Sequence, residues 1–302
     1  MTTEKTIASL IRPLFGTSPS RITPTHGGQI STAFLVELDH RTIIVRTHSD
    51  PRVYAGTVHN LNILRSLGLP VPDVLTADLT QSVWPFSYLV LSHFPGRELR
   101  HELAGMSEDQ MTTLARGIME FQRRVAALPD GEGYGYVNIG ERGTFGNWWD
   151  LLCREWSHID LESRDLRTDR YRRIIQAAEA QQAYLQAVPA TCFLDDITVK
   201  NVIVQNGALT GLIDFDCVCY GDPLWHLALT TVGVVADVGR SRLFYAEALV
   251  READLSEEQL RALALYRAIM GAEFLDRCGP AETPAWRAQM EQCVEDWIRK
   301  AG

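Results

Sequence analysis

Two carboxylates and an amide between Cys192 and Asp216 have the types and the spacing that phosphoryl transfer requires. Asp196 stands five residues before Asn201, and Asp214 follows thirteen residues later at the end of a short apolar run. Moving a phosphoryl group takes a carboxylate that accepts or orients the proton of the attacking hydroxyl. It also takes an amide oxygen and a second carboxylate that hold Mg²⁺ against a triphosphate. The protein is asked for little covalent chemistry, so positioning and charge neutralisation dominate.

Local sequence predicts how these groups meet. Val202-Ile203-Val204 is a short β-run, Gln205-Asn206-Gly207-Ala208 contains an Asn-Gly turn pair, and Leu209 to Ile213 returns as the partner strand. Such a hairpin would bring Asn201, just before its first strand, beside Asp214, just after its second. Two oxygen ligands with room for water and phosphate suit Mg²⁺ better than a closed protein cage. A lone Asp-x-x-x-x-Asn is common by chance. The hairpin, the ending Ile213-Asp214-Phe215-Asp216 and the later Gly221-Asp222-Pro223 make this one informative.

Together these residues resemble the aminoglycoside phosphotransferase family, small-molecule kinases that share the protein-kinase-like fold. The family pattern is H-G-D-x-x-x-x-N, an apolar strand, I-D-[FW]-[DEG], then G-D-P and an apolar helix. Here it reads Leu194-Asp195-Asp196, Asn201, Ile213-Asp214-Phe215-Asp216 and Gly221-Asp222-Pro223, followed by Leu224 to Leu229. The resemblance runs over nearly the whole chain. It departs from the pattern at Leu194, where the family has His, and at Asp195, where it has Gly. The His supports the loop, and an apolar residue could do so by packing. Asp195 adds a negative charge near phosphates, which is unfavourable unless a cation answers it. Lys200 is either that cation, touching the transferring phosphate, or a solvated lysine.

Upstream, Thr6 to Phe15 reads as an amphipathic helix, Ala33 to Leu38 and Thr42 to Arg46 as strands, and Pro24 to Thr32 as a loop. Gly27 and Gly28, with Ser31 nearby, would let backbone N–H groups approach phosphates. By the resemblance, Arg46 is the base that grips the nucleotide phosphates; the alternative is a surface arginine on an edge strand. The family pairs that base with a Glu on the next helix, but the apolar helix from Val58 to Leu67 has none. Asn60 stands near the expected place, so Arg46 is held by an amide or needs no partner. After the strand Phe86 to Leu91, the segment Ser92 to Gly96 looks like a hinge between lobes, where an adenine would pair with the Ser92 carbonyl and the Phe94 N–H.

Beyond the hinge the pattern turns helical. Ser107-x-x-Gln110 is a capping box, and Met111, Leu114, Ile118, Phe121, Val125 and Leu128 form a core face. Trp148 and Trp149 read as core anchors, and helices are expected over Trp148 to Ile159, Asp169 to Leu185 and most of Pro223 to Ile298. The family binds cationic substrates with acidic residues of this part. The corresponding candidates are Asp216, Glu273 and Asp276, the last two on one helix face; the alternative is a solvated charged face.

Composition sets the frame. The chain has 302 residues, 46% hydrophobic and 22% charged, as expected of a globular protein with a large core or two lobes. A net charge of −9 argues against nonspecific binding to nucleic acid or anionic membrane and is compatible with a cationic substrate. The six cysteines show neither a disulfide framework nor zinc spacing. The N-terminus lacks a signal-peptide apolar region and no run reaches transmembrane length, so the cytoplasm is the expected compartment.

The expected fold is therefore α+β, two-lobed and protein-kinase-like. A small antiparallel-sheet lobe over residues 1–95 would bind the nucleotide, and a mainly helical lobe over 96–302 would carry catalysis and the acceptor. The expected function is Mg²⁺-dependent transfer of the γ-phosphoryl group of ATP or GTP to a hydroxyl of a small polar molecule, an aminoglycoside-like antibiotic or an amino-alcohol or sugar metabolite. The alternative is a nucleotide-binding or scaffolding pseudokinase, favoured by Leu194, Asp195 and the absent helix Glu. The retained Asp196, Asn201 and Asp214 argue against it, since a protein without turnover has no chemical need of all three. A protein kinase is disfavoured because no activation segment of the usual length separates Asp214 from Gly221.

Overall fold

Alternating apolar residues build the first part of the protein. The computed structural model describes residues 3–25, 32–50, 52–157, 159, 162, 165–277 and 283–302. Within it the chain divides into two bodies, Met1–Pro95 with Thr210–Cys217, and Gly96–Leu209 with Val218–Gly302. The first opens with helix α1 (Glu4–Phe15), then strands β1 (Arg21–Pro24), β2 (Thr32–Leu38) and β3 (Arg41–His48), helix α2 (Val53–Ser66), and strands β4 (Val74–Asp78) and β5 (Ser87–Ser92). The strands form one antiparallel sheet in the order β1-β2-β3-β5-β4. In β3, Ile43 and Val45 point into the core that Ile7, Leu10 and Ile11 of α1 share with Phe34, Val36 and Val90. The two-residue period of a strand puts Arg46 on the opposite face. There α2 presents Tyr54, whose ring the Arg46 guanidinium faces at 5.4 Å. Helix α2 begins five residues earlier than the sequence predicts.

The segment Thr210–Cys217 groups with this first body, although the chain reaches it only after 114 residues of the second. The Leu212 N–H donates to the Pro70 carbonyl at 2.8 Å, and the Thr210 hydroxyl donates to the Pro95 carbonyl at 2.7 Å. Gly211 lies against the Phe94 ring so closely that any side chain there would overlap it.

The second body is mainly helical. It begins with β6 (Arg97–Glu98), α3 (Leu99–Glu102) and α4 (Glu108–Ala126), followed by β7 (Gly135–Val137), α5 (Trp148–Trp156), α6 (Leu166–Ala180) and α7 (Gln182–Ala187). Then come β8 (Thr191–Phe193), β9 (Val202–Gln205), β10 (Ala208–Leu212, which leaves this body at its third residue), β11 (Val218–Gly221), α8 (Leu224–Asp237), α9 (Phe244–Ala253), α10 (Glu257–Arg277) and α11 (Pro284–Ala301). The capping box of α4 is present, with Ser107 and Gln110 each bonding the other's backbone N–H. The single helix expected over Asp169 to Leu185 breaks at Gln181, whose buried amide leaves the helix axis to donate to the Ala301 carbonyl at 2.9 Å.

Two small sheets carry the loops of interest. Strand β11 lies between β7 and β8, antiparallel to both, a pairing with no local sequence signal. Strand β6 pairs with β9, Glu98 opposite Ile203. Asn206 and Gly207, with φ of 53° and 77°, turn the chain from β9 into β10 as the Asn-Gly pair predicts. The helical core is centred on Trp148, fully buried, with Trp225 and Tyr266 edge-on to it at ring-centroid distances of 5.5 and 6.3 Å. Gly221 has no alternative: a β-carbon there would enter the Trp148 ring. No helix among the described residues is long and apolar enough to cross a membrane.

One buried group makes the fold sensitive to acid. His226 in α8 is 1% exposed; its Nδ1 donates to the Pro223 carbonyl and its Nε2 has no partner among the described residues. Burial pulls its pKa down from 6.5 to about 4. The unfolded chain therefore takes up a proton near pH 6.5 that the folded protein refuses until about pH 4. Stability present above pH 6.5 is lost as pH falls through that window, in total on the order of 3 kcal/mol. Urea midpoints measured at pH 7 and pH 5 should show the loss in the wild type and much less of it in His226→Gln. A wild-type midpoint equal at both pH values would contradict the assignment.

Candidate active site

Both bodies carry residues that the sequence singled out. In the first body, Arg46 emerges from β3 with its guanidinium largely buried, its side chain 13% exposed. Its Nη1 and Nη2 donate to Oδ1 and Oδ2 of Asp216 at 2.9 and 2.7 Å, a fork-on-fork ion pair. The Thr57 hydroxyl of α2 donates to the same Asp216 Oδ1 at 2.6 Å, and the Asn60 amide nitrogen donates to the Phe215 carbonyl at 3.1 Å. Burial by itself would lower the Arg46 pKa; the bonds from Asp216, then the charges of Asp216 and Asp214, outweigh it and raise it. Asp216, expected among the acceptor-binding residues, is thus engaged on Arg46. Asn60, expected beside the arginine, instead holds the backbone next to Asp216.

Asp214 sits two residues away in a left-handed backbone conformation with φ of 69°, one that Asp tolerates better than most residues. Its carboxylate is half-exposed and stands 3.9 Å from Arg46 Nη1. Crowding by protein, then the Asp216 charge, raise its pKa, and Arg46 pulls the other way. A carboxylate so placed gains from a further cation. At the end of β5, the Ser92 hydroxyl accepts from the Asp73 N–H at 2.8 Å and the Ser92 N–H donates to the Asp73 carbonyl at 2.9 Å. Among the described residues the Phe94 N–H makes no hydrogen bond. Gly27, Gly28 and Ser31 lie outside the described residues.

In the second body, the loop between β8 and β9 is braced from within and from two helices. Leu194, in the place of the family His, is 2% exposed. Its backbone is held twice by the buried Gln122 of α4: the Gln122 amide nitrogen donates to the Leu194 carbonyl at 2.6 Å, and the Leu194 N–H donates to Gln122 Oε1 at 3.0 Å. From α8 the Thr230 hydroxyl donates to the Ile197 carbonyl at 3.2 Å. Asp196 is exposed, and Thr198 donates to its Oδ1 at 3.1 Å. The Asn201 amide nitrogen donates to the Asp196 carbonyl at 2.9 Å, so its Oδ1 is the atom left for a cation. Lys200 pairs with Asp237 of α8 at 3.1 Å, a partner the sequence reading did not consider. Gln122, Thr230 and Asp237 were missed because nothing in their local sequence marks them.

Glu273 and Asp276 both face a cleft of about 540 Å³ whose other lining residues are Phe145, Arg154, Glu155, Arg167, Tyr171 and Arg277. Asp276 accepts from Arg167 Nε at 2.7 Å and from the Tyr171 hydroxyl at 3.1 Å. Glu273 pairs with Arg277 at 3.2 Å, yet burial pushes its pKa up to about 7, with the charges of Glu155 and Asp276 adding to the rise against Arg277. Neither carboxylate belongs to a plain solvated face.

Among the described residues no cluster of three or more His, Cys, Asp or Glu side chains is arranged to hold a metal. The Asp214 carboxylate of the first body and the Asn201 amide oxygen of the second are each hard oxygen donors of the kind Mg²⁺ takes, alongside water and phosphate.

The phosphotransferase enzyme family matches residues 21–266 of the chain. No curated protein matches it in sequence. The fold is similar to that of aminoglycoside phosphotransferase APH(4)-Ia, with a TM-score of 0.70 and 17% identity over 99% of this chain and 100% of that one. It is equally similar to the GDP complex of wild-type aminoglycoside 2'-phosphotransferase-IIIa, with a TM-score of 0.70 and 15% identity over 99% and 100% of the two chains. For a thermostable mutant of APH(4)-Ia in its apo form the values are 0.69 and 19%, over 98% and 99%. The architecture is thus the kinase-like one, an antiparallel-sheet part followed by a helical part.

Proposed function

Since the chain belongs to the phosphotransferase enzyme family, we propose that it moves the γ-phosphoryl group of ATP or GTP to a hydroxyl of a small polar molecule, with Mg²⁺. The observation that carries the proposal is the bracing of the loop from Leu194 to Asn201. Two bonds from Gln122, one from Thr230 and one from Asn201 hold its backbone, while the Asp196 carboxylate stays exposed. Asp196 would orient the acceptor hydroxyl and take its proton as the bond to phosphorus forms. Asp214 and Asn201 Oδ1 would hold Mg²⁺, which when bound neutralises charge on the phosphates. Arg46 would grip those phosphates, and the backbone at Ser92 and Phe94 would meet the purine. Lys200 pairs with Asp237 at 3.1 Å and would leave that pair to touch the transferring phosphate.

The acceptor would lie in the cleft at Glu273. Solved structures of similar fold were captured with AMP-PNP and hygromycin B, or with GDP and kanamycin. In this chain Arg154, Arg167 and Arg277 offset Glu155, Glu273 and Asp276 among the described lining residues. A neutral polyol or a zwitterion matches that balance better than a polycation does.

The test is a thermal-shift titration with ATP and GTP, with and without Mg²⁺, on the wild type and on Asp214→Ala. Nucleotide at one hundred times its dissociation constant stabilises the folded protein by about 2.7 kcal/mol. The expected result is a Mg²⁺-dependent upward shift that Asp214→Ala abolishes. Absence of any shift with either nucleotide up to millimolar concentration would end the kinase reading and leave the fold to another use.

A further inference from the structure

A buried guanidinium needs a counter-charge that also fixes its direction, because an arginine free to swing cannot present a constant fork to a phosphate. Helix α2, Val-Tyr-Ala-Gly-Thr-Val-His-Asn-Leu-Asn-Ile-Leu-Arg-Ser, has no acidic residue to supply it. The carboxylate that engages Arg46 comes instead from Asp216, which is 170 positions away in sequence and two residues after Asp214. We infer that Asp216 is the positioning residue for Arg46, taking the place of the absent helix carboxylate, with Thr57 of α2 bonded to that carboxylate and Tyr54 of α2 facing the guanidinium.

The geometry supports more than a chance surface pair. Both Asp216 oxygens are engaged by the guanidinium fork, with side-chain exposures of 13% for Arg46 and 23% for Asp216. Thr57 fixes the carboxylate from the helix side at 2.6 Å, and Asn60 fixes the Phe215 carbonyl beside it. The guanidinium lies over the Tyr54 ring, 5.4 Å from its centroid. One short segment, Asp214-Phe215-Asp216, therefore carries both a metal-ligand candidate and the anchor of the phosphate-gripping arginine. Asp214 is the neighbouring carboxylate, 3.9 Å from Nη1. Without Asp216 the guanidinium would turn to Asp214 and cover the charge meant for a cation. Loss of Asp216 should thus weaken nucleotide binding and raise the Mg²⁺ concentration needed for half-maximal rate, without touching the acceptor.

This inference rests on the reading that Arg46 grips nucleotide phosphates, and its test separates the two. Kinetics are measured for the wild type, Asp216→Asn, Thr57→Ala and the double variant Asp216→Asn with Thr57→Glu, each checked for folding by circular dichroism. Nucleotide KM and the half-maximal Mg²⁺ concentration are expected to rise roughly tenfold in Asp216→Asn, the scale of one charge-assisted contact. Acceptor KM should stay unchanged. Thr57→Ala should move the same quantities in the same direction by less. The double variant, which returns a carboxylate from the helix, should recover most of the loss.

Unchanged nucleotide KM in Asp216→Asn, equal losses for nucleotide and acceptor, or no recovery in the double variant overturns the inference. If Asp216→Asn does not fold, Thr57→Ala decides, and nucleotide parameters unchanged there overturn it. A wild type that binds neither nucleotide overturns the phosphotransfer reading itself, a result visible before any variant is made.

Discussion

Asp196→Asn is expected to lower turnover by roughly 10²–10⁴-fold, the usual contribution of a positioned acid–base group, with nucleotide affinity unchanged. Asparagine keeps the size of the side chain and an oxygen for the Thr198 hydroxyl, which lies 3.1 Å from Asp196 Oδ1. It cannot accept a proton. The bonds that shape the loop go to backbone atoms, from Gln122, Thr230 and Asn201, so none of them depends on the carboxylate that is changed. The substitution therefore removes charge and basicity and leaves geometry in place. Initial rates with a turned-over acceptor, alongside a nucleotide thermal shift, read the two effects separately. A rate within a fewfold of wild type would take Asp196 out of the reaction. A lost nucleotide shift would mean that its charge serves binding instead.

The largest effect on stability is expected at Asp222. This carboxylate is 4% exposed and lies at the start of α8. Its Oδ2 accepts from the hydroxyls of Tyr184 and Tyr266, both at 2.8 Å, and its Oδ1 accepts from the Leu224 N–H at 3.0 Å. Tyr266 in turn accepts from the Trp148 indole at 2.9 Å, which ties the helix cap to the centre of the core. Burial raises the Asp222 pKa, and the three bonds work against that rise. Asp222→Ala leaves all three donors buried without their acceptor, at about 1–3 kcal/mol for each bond left unmade. Against a total stability of roughly 5–15 kcal/mol, the second body should unfold at much lower urea or fail to accumulate. Asp222→Asn, which keeps an acceptor oxygen for the tyrosines, should lose less. Equal urea midpoints for wild type and Asp222→Ala would show that the tyrosines find other partners.

Much of the site was legible because its parts are close together in the chain. The Asp196–Asn201 spacing, the Asn206-Gly207 turn and the apolar run ending at Asp214 are all contained in about two dozen residues, within the range that turn chemistry and strand periodicity cover. The two-residue period of the strand puts Arg46 on the face opposite Ile43 and Val45, and the structure adds that α1 packs on theirs. The expectations that changed concern partners. Asp216 was read as a contact for the acceptor and is bonded to Arg46; Lys200 was read as a cation for the transferring phosphate or as a solvated lysine, and pairs with Asp237. The helix expected through Leu185 breaks at Gln181, because that amide is drawn to Ala301.

By itself, then, the sequence determined which groups are on offer: two carboxylates and an amide at a spacing that phosphoryl transfer could use, an arginine at the end of a strand, and a sheet followed by helices to carry them. Only the tertiary structure decided what holds each of these in place. Gln122 braces a loop 72 positions away, Asp216 meets Arg46 across 170, and Thr210–Cys217 packs with a body the chain had left at Pro95. Spacing and period act over one turn or one strand. A buried polar group, by contrast, must be satisfied by whichever side chain folding brings within 3 Å of it, and no local pattern carries that information.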